Sequence, residues 1–319
     1  MKQPNPKFAS WESTMMCNIQ CQHCGLSSGP QQKNARGPEL NTEESLSLFD
    51  QLIGFGVSKL IISGGEFTTR PDWQYLLSVA LQKFSMVRLI TNGWLGINLC
   101  QLLNKISDSS NLILSLSLDG IEATHDSNRR AGSFTKVRAI LQQERGIIYN
   151  VITTVTKSNW YELDQLFDLM RELEVGIWSV QIGLPAGRMS MDNFIGMDNI
   201  KLLADKIEAW QRVCGQQMEI VPDDCFGYQH LMRQDQPWTG CQAGKNLVTI
   251  LANGDITGCP TTFDEVMGNI RQDVLRNIWQ NEKFATFREK IATCLICDNH
   301  NCLGGCRAVQ KIFHQQFCF

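Results

Sequence analysis

No apolar run in this sequence approaches the roughly 20 residues that a membrane-spanning helix needs, which excludes an integral helical membrane protein. The first residues, MKQPNPKFAS, lack the apolar core of a secretory signal, so the expected compartment is the cytoplasm. A charge surplus is missing too. A formal net charge of -3 and a pI near 6.0 give no electrostatic reason to bind nucleic acid or an anionic membrane. There is no internal repeat and no low-complexity tract. Only sixteen residues precede the first cysteine, Cys17, too few to fold a recognition domain ahead of it.

Hydrophobic residues, at 43% of 319, are ample for one large domain or two modest ones. Thirteen cysteines are present, and ten of them fall into two groups, Cys17 to Cys24 and Cys241 to Cys318. Without an export signal, such clusters point to metal binding or catalysis rather than disulfides. The first group reads C-x3-C-x2-C in WESTMMCNIQCQHC, with His23 just before the last thiol. Three thiolates on one loop suit an iron–sulfur cluster. A closed zinc site wants a fourth ligand nearby, yet the next cysteine is Cys100. One iron is therefore left open to bind something else.

The first half alternates short apolar strands with helix-period segments, the pattern of successive βα units. Strands are expected near 8–13, 57–63, 86–91, 112–118, 147–156 and 175–183. Asn41 with Glu44 and Asn159 with Glu162 read as capping boxes, and Asp72 as the cap of a helix through Leu76 and Ala80. Six such strands imply a parallel sheet curling toward a barrel, with the site at their C-terminal ends. Residues 191–235 read as a bridge, a helix through Ile200, Leu203, Ile207 and Trp210 followed by a polar loop. The barrel would span 1–190 and a cysteine-rich domain 236–319. Cys100 and Cys214 fall on apolar helix faces and read as core thiols.

Position by position, the first cysteine motif resembles the signature of the radical S-adenosylmethionine (SAM) enzymes. The resemblance implies an α/β fold, a partial (β/α)6 barrel of TIM type. It also implies reductive cleavage of SAM on the open iron, giving a 5′-deoxyadenosyl radical that abstracts hydrogen from an unactivated C–H bond. By the same resemblance Gly64, Gly65 and Glu66, after the second strand, contact the SAM amino group. Asn92, Ser117 and Asp119 at the next strand ends line its pocket. His125-Asp126-Ser127-Asn128-Arg129-Arg130 resembles the HDxxR segment of peptide-modifying members, whose arginine reaches the SAM carboxylate. The spacing does not separate Arg129 from Arg130.

The tail, from CQAGKNLVTILANGDITGCP onward, resembles the cysteine-rich SPASM domain. Twelve residues separate Cys241 from Gly254 and four separate Gly254 from Cys259. Cys297 and Cys302 are four residues apart where the pattern has five. The resemblance assigns Cys294, Cys297, Cys302 and Cys318 to one auxiliary [4Fe–4S] cluster, and Cys241, Cys259 and Cys306 to a second. Cys225 is the candidate for the second cluster's fourth ligand, which makes three clusters in all. A zinc ribbon at Cys294, Cys297, Cys302 and Cys306 would strand Cys241, Cys259 and Cys318.

The activity implied is maturation of a ribosomally made precursor peptide by crosslinking, backbone excision or a related change. The alternatives are a formylglycine maturase of sulfatases and a tetrapyrrole or small-molecule enzyme. Implied partners are the precursor, a separate leader-binding protein of RRE type, and an electron donor such as flavodoxin or ferredoxin. Asp255 is a candidate acid or base, and Tyr149, Gln181 and Arg188 are candidates for the substrate channel.

Overall fold

The computed structural model describes residues 5–106, 110–143, 146–223, 226, 241–291 and 306–313. Cys225, Cys294, Cys297, Cys302 and Cys318 lie outside the described residues.

Six βα units run as expected: β1 Phe8–Glu12, α1 Thr42–Phe55, β2 Lys59–Ser63, α2 Trp73–Lys83, β3 Met86–Thr91, α3 Ile97–Leu103, β4 Leu112–Ser117, α4 Glu122–Asn128, α5 Ser133–Leu141, β5 Ile148–Val155, α6 Leu163–Glu172, β6 Ile177–Ile182 and α7 Met197–Cys214. The strands β1 to β6 are neighbours in chain order, all parallel. Each strand alternates faces. Trp11, Leu60, Ile62, Val87, Leu89 and Trp178 are fully buried against the helices. Phe49 and Phe67 meet Trp11 edge-on at 5.4 and 6.1 Å, and Phe167 stacks on Trp178 and Trp210.

The other face is polar. Asn150 donates to Ser115 at 3.0 Å, Ser179 to Asn150 at 3.1 Å, and Gln181 to Thr154 at 2.7 Å. These side chains satisfy one another across three strands, so a polar barrel interior carries little of the penalty that unpaired groups would bring.

Four further strands among the described residues, one on one side and three on the other, extend this sheet beyond the expected six. The segment expected as a polar loop after α7 contains a seventh parallel strand, β7 Glu219–Pro222, paired with β6. Its four residues are too few to show a period. On the far side β8, Leu247–Ile250, from the cysteine-rich segment, pairs in parallel with β1. A hairpin turn at Asn253-Gly254, with Gly254 at φ 87°, returns the chain as β9, Asp255–Thr257, and the two-residue β10, Gly268–Asn269, closes that edge. Helices α8 Leu275–Gln280, α9 Glu282–Ile291 and α10 Arg307–Phe313 follow.

One of the three expected helix caps forms. Asn41 and Glu44 make the reciprocal capping box at 2.9 Å each way. Asp72 makes no capping bond; it accepts from Arg70 at 2.8 and 2.9 Å and from Thr42 at 2.7 Å. Buried Arg70 needs that partner, since its other donors serve the carbonyls of Ser13 and Leu40. Asn159 and Glu162 flank a short 3₁₀ turn and are drawn into the site described below.

Glu44 also receives Arg271 at 2.6 and 2.8 Å, bolting α1 to the β10 edge, and Arg271 holds its carboxyl down at about 2. A group with a depressed folded pKa stabilises above its unfolded value, near 4.5, and loses that contribution as pH falls toward 2. Wild type should therefore lose stability over that window, while Glu44→Gln should show a flatter acid limb in denaturation curves taken from pH 5 to 2. The pair is partly exposed, so 1 M salt should shrink the difference.

Candidate functional site: a thiol loop over the strand ends

The loop after β1 carries Cys17, Cys21 and Cys24 and is strapped from four sides. From β2, Gly65 N–H donates to Thr14 O at 2.6 Å and Glu66 N–H to Met16 O at 2.8 Å. From β3, Asn92 donates to Asn18 Oδ1 at 2.7 Å and lies 3.6 Å from Cys17 Sγ. From α4, the Asn128 carbonyl accepts from Gln22 N–H at 2.9 Å. From the end of β6, Arg188 N–H reaches Cys24 O at 3.0 Å and its Nε reaches Cys21 O at 2.9 Å. Three approaches demand glycine. A Cβ on Gly65 would lie 2.2 Å from Met16 O, one on Gly64 would lie 2.5 Å from Thr14 O, and one on Gly187 would lie 2.5 Å from Cys24 O.

Behind the loop sits a charge network. Asp119, fully buried at the end of β4, accepts from Arg129 Nε at 2.5 Å, lies 3.2 Å from His23 Nε2, and accepts from Thr154 N–H at 2.9 Å. Arg129 also lies 3.8 Å from Cys21 Sγ. Against a burial penalty, Arg129 and His23 hold the Asp119 carboxyl well below the usual range, and Asp119 in turn raises Arg129. Asn159 donates to Asp119 O at 2.5 Å and to Thr154 O at 2.9 Å, while Glu162 accepts from Thr124 and Ile121 N–H. These ties between the ends of β4 and β5 are why neither residue caps a helix.

The HDxxR segment is also resolved by this geometry. His125 accepts Asp119 N–H at 3.1 Å, and burial, with Arg129 beside it, pushes its pKa down to about 4, so the ring is neutral. Asp126 accepts from the backbone of Gly132 and Phe134, fixing the start of α5. Arg129 turns inward and lines the cavity, whereas Arg130 lies outside, 3.8 Å over the Trp94 ring.

A cavity of about 350 Å³ opens between the thiol loop and the strand ends. Cys17, Cys21, Cys24, Gly64, Gly65, Asn92, Ser117 and Arg129 line it, as do Gln181 and Arg188. Several expected residues do not. Glu66 is 1% exposed, and its carboxylate is taken by Thr68, Thr91 Oγ1 at 3.0 Å and Asn92 N–H at 2.8 Å, bracing β2 against β3. Asp255 is bound by Asn253 and Asn269 on the hairpin, and Tyr149 is buried on the helix side. Sequence reasoning missed Asp223, which lines the cavity just past β7 and faces the charge of half-buried Arg88. It also missed Thr261, Phe263 and Ile312, which wall the cavity from the cysteine-rich side. The one signal was the VPDDC stretch, whose first two residues end β7.

The donor set fits an iron–sulfur cluster. Burial pushes the Cys17 thiol up to about 12 and raises Cys21, so both are protonated until a metal displaces the proton. Among the described residues no three His, Cys, Asp or Glu side chains converge closely enough for a single metal ion. The three loop thiols instead surround a cavity, as a multi-iron group requires. Cys17, Cys21 and Cys24 would hold such a group, which with SAM supplies radical chemistry at an unactivated C–H bond. On the other side, burial pushes the Cys259 thiol up to about 11, with the Cys306 thiol also acting on it.

An open parallel barrel with a thiol loop over its strand ends, extended by a cysteine-bearing sheet edge, defines a class of metal-dependent radical enzyme. The model of the radical SAM superfamily matches residues 11–170 and that of the SPASM iron–sulfur cluster-binding domain matches 241–303. The chain belongs to the radical SAM superfamily and carries a SPASM domain. It is 28% identical over 331 residues to the AdoMet-dependent heme synthase of Methanosarcina barkeri, covering 95% of this chain and 91% of that one. It is 25% identical to the mycofactocin maturase MftC of Mycobacterium tuberculosis, covering 96% and 79%. In fold it is similar to Streptococcus suis SuiB bound to precursor peptide SuiA, with TM-score 0.78, 18% identity, and coverage of 97% and 73%. The partial barrel is thus the fold of the family. No helix among the described residues is long and apolar enough to cross a membrane.

Proposed function

We propose that this enzyme is a peptide maturase, taking hydrogen from one residue of a ribosomally made precursor so that a crosslink, excision or related change follows. The observation that carries this reading is the cavity. Among the described residues it measures about 350 Å³, near the lower bound for small-molecule sites, which suits a substrate that inserts one side chain better than one enclosed whole. Of the two arginines lining it, Arg129 is paired with Asp119, while Arg188 gives its Nε to Cys21 O and keeps its remaining donors. A substrate with several carboxylates would find few partners there among the described residues. Similarity to MftC and the fold of SuiB support the same reading.

Three clusters are proposed, with Cys225 and the SPASM cysteines holding the auxiliary pair. A separate leader-binding protein and a flavodoxin or ferredoxin would complete the system. Glu66 and Asp119 act on SAM indirectly, by fixing the backbone and Arg129. Asp223 takes the place of Asp255 as candidate acid or base. Asp223→Asn should reduce peptide product about 10²- to 10⁴-fold while leaving 5′-deoxyadenosine formation in place. Equal loss of both would remove it from that role.

The test is co-expression with a short precursor encoded beside the gene, followed by mass spectrometry. A mass change in the peptide that vanishes in Cys21→Ala supports the reading, and hydrazide labelling of an aldehyde would favour formylglycine formation. Similarity to the heme synthase over nearly the whole chain favours a second reading, a tetrapyrrole substrate. Iron-porphyrin titration with a Soret shift at stoichiometric binding, and no peptide mass change, would select it.

A further inference from the structure

Strand residues alternate faces, so with Val87 and Leu89 buried against the helices, Arg88 and Ile90 of β3 belong to the barrel interior. Ile90 lines the cavity, and Arg88 lies two residues deeper. The backbone register puts Thr249, Ser10, Ile61, Arg88 and Ile113 in one row across β8, β1, β2, β3 and β4. The isoleucine side chains on either side of Arg88 offer it no acceptor.

Elsewhere on this face polar side chains serve one another, Asn150 with Ser115 and Ser179, and Gln181 with Thr154. The row of Arg88 breaks that rule. Arg88 Nε is buried with no hydrogen-bond partner among the described residues, and so is Thr249 Oγ1 in the same row. Native interiors leave few such groups, and a buried cation is the costliest to leave unserved. Burial lowers the Arg88 pKa from its usual value, and the charge of Asp223 works against that shift. Asp223 lines the cavity, so a cation below Ile90 and facing Asp223 sits under the cavity floor, at the end away from the thiol loop. The two arginines that line the cavity are placed otherwise: Arg129 is paired with Asp119 behind the thiols, and Arg188 gives Nε to Cys21 O beside them.

We propose that Arg88 anchors a carboxylate of the precursor residue that enters the cavity, either the peptide's C-terminus or an acidic side chain, with Asp223 as its counter-ion in the free enzyme. A guanidinium holds a carboxylate best through two parallel N–H bonds, and Nε supplies one donor of such a pair. One fork takes one carboxylate, so Arg88 selects which residue of the precursor goes deepest. The inference deepens the peptide-maturase reading and rests on it.

The test uses the full-length, cluster-loaded enzyme and the precursor encoded beside the gene, synthesised in three forms. One is the free acid, one is the C-terminal amide, and one has its Asp and Glu residues changed to Asn and Gln. At equal iron content, Arg88→Gln should raise KM for the free acid about ten- to a hundredfold, with a smaller change in kcat. One of the two modified peptides should show the same rise with wild type and no further rise with Arg88→Gln, because variant and modification remove the same bond. A rise with the amide assigns the C-terminus, and a rise with the Asn and Gln form assigns an acidic side chain. If Arg88→Gln does not fold, Arg88→Lys replaces it, keeping the charge but not the fork. Wild type handling all three peptides alike, or a loss in Arg88→Gln that is equal for all three, would overturn the anchor and leave Arg88 a structural partner of Asp223. A wild type that cleaves SAM but changes the mass of none of the peptides would instead overturn the peptide reading, and the anchor with it.

Discussion

Asp119→Ala should be the most damaging single change away from the cysteines. It leaves the Arg129 guanidinium buried without its 2.5 Å partner, frees His23, and orphans Thr154 N–H. Removing one member of a buried ion pair costs about 3–5 kcal/mol, against a total stability of about 5–15 kcal/mol for a domain. The damage should spread to the thiol loop, because Arg129 is also 3.8 Å from Cys21 Sγ. Denaturation of the metal-free protein should show the full loss, and anaerobic reconstitution should give less iron per chain. Asp119→Asn keeps an acceptor for Thr154 N–H and should lie between the two. An Asp119→Ala protein with wild-type stability and iron content would mean that the network is idle.

Gly65→Ala is the second. The new methyl would meet Met16 O at 2.2 Å and Met16 C at 2.6 Å, backbone atoms that no side-chain rotation can clear. Either the β2 exit or the thiol loop must move, and the two are tied there by the bonds of Gly65 and Glu66 to Thr14 and Met16. Overpacking of this kind costs about 1–3 kcal/mol or more, and here it acts on the spacing of the metal ligands. The expected result is a folded protein with strongly reduced iron and sulfide and weakened SAM binding by calorimetry. Gly25→Ala is the matched control, since nothing lies within 4 Å of its added methyl. Normal iron loading in Gly65→Ala would show that the contact relaxes.

The βα rhythm was legible because long strands and amphipathic helices repeat a period many times. The thiol motif was legible because its spacing is chemical. What escaped was set by contacts distant in sequence. β7 is four residues long and gains its identity only from the edge of β6. Asn159 carries the local signature of a helix cap, yet two carbonyls, Asp119 O and Thr154 O, claim its amide. Glu66 follows two glycines as a ligand-facing carboxylate would, but Thr91 and Asn92 draw it into the wall between strands. Adjacent Arg129 and Arg130 are indistinguishable by spacing; the end of α4 sends one to buried Asp119 and the other to an indole.

The parallel pairing of β8 with β1 bears on how the molecule is made. β2 can dock on β1 early in translation, but the other side of β1 waits for Leu247–Ile250 to leave the ribosome. At about 5–20 residues per second, that leaves a strand edge uncovered for on the order of ten to forty seconds. Nascent chains are open to mispairing throughout this interval. Slower initiation or lower temperature should therefore raise the soluble yield more than any change to the finished protein's surface.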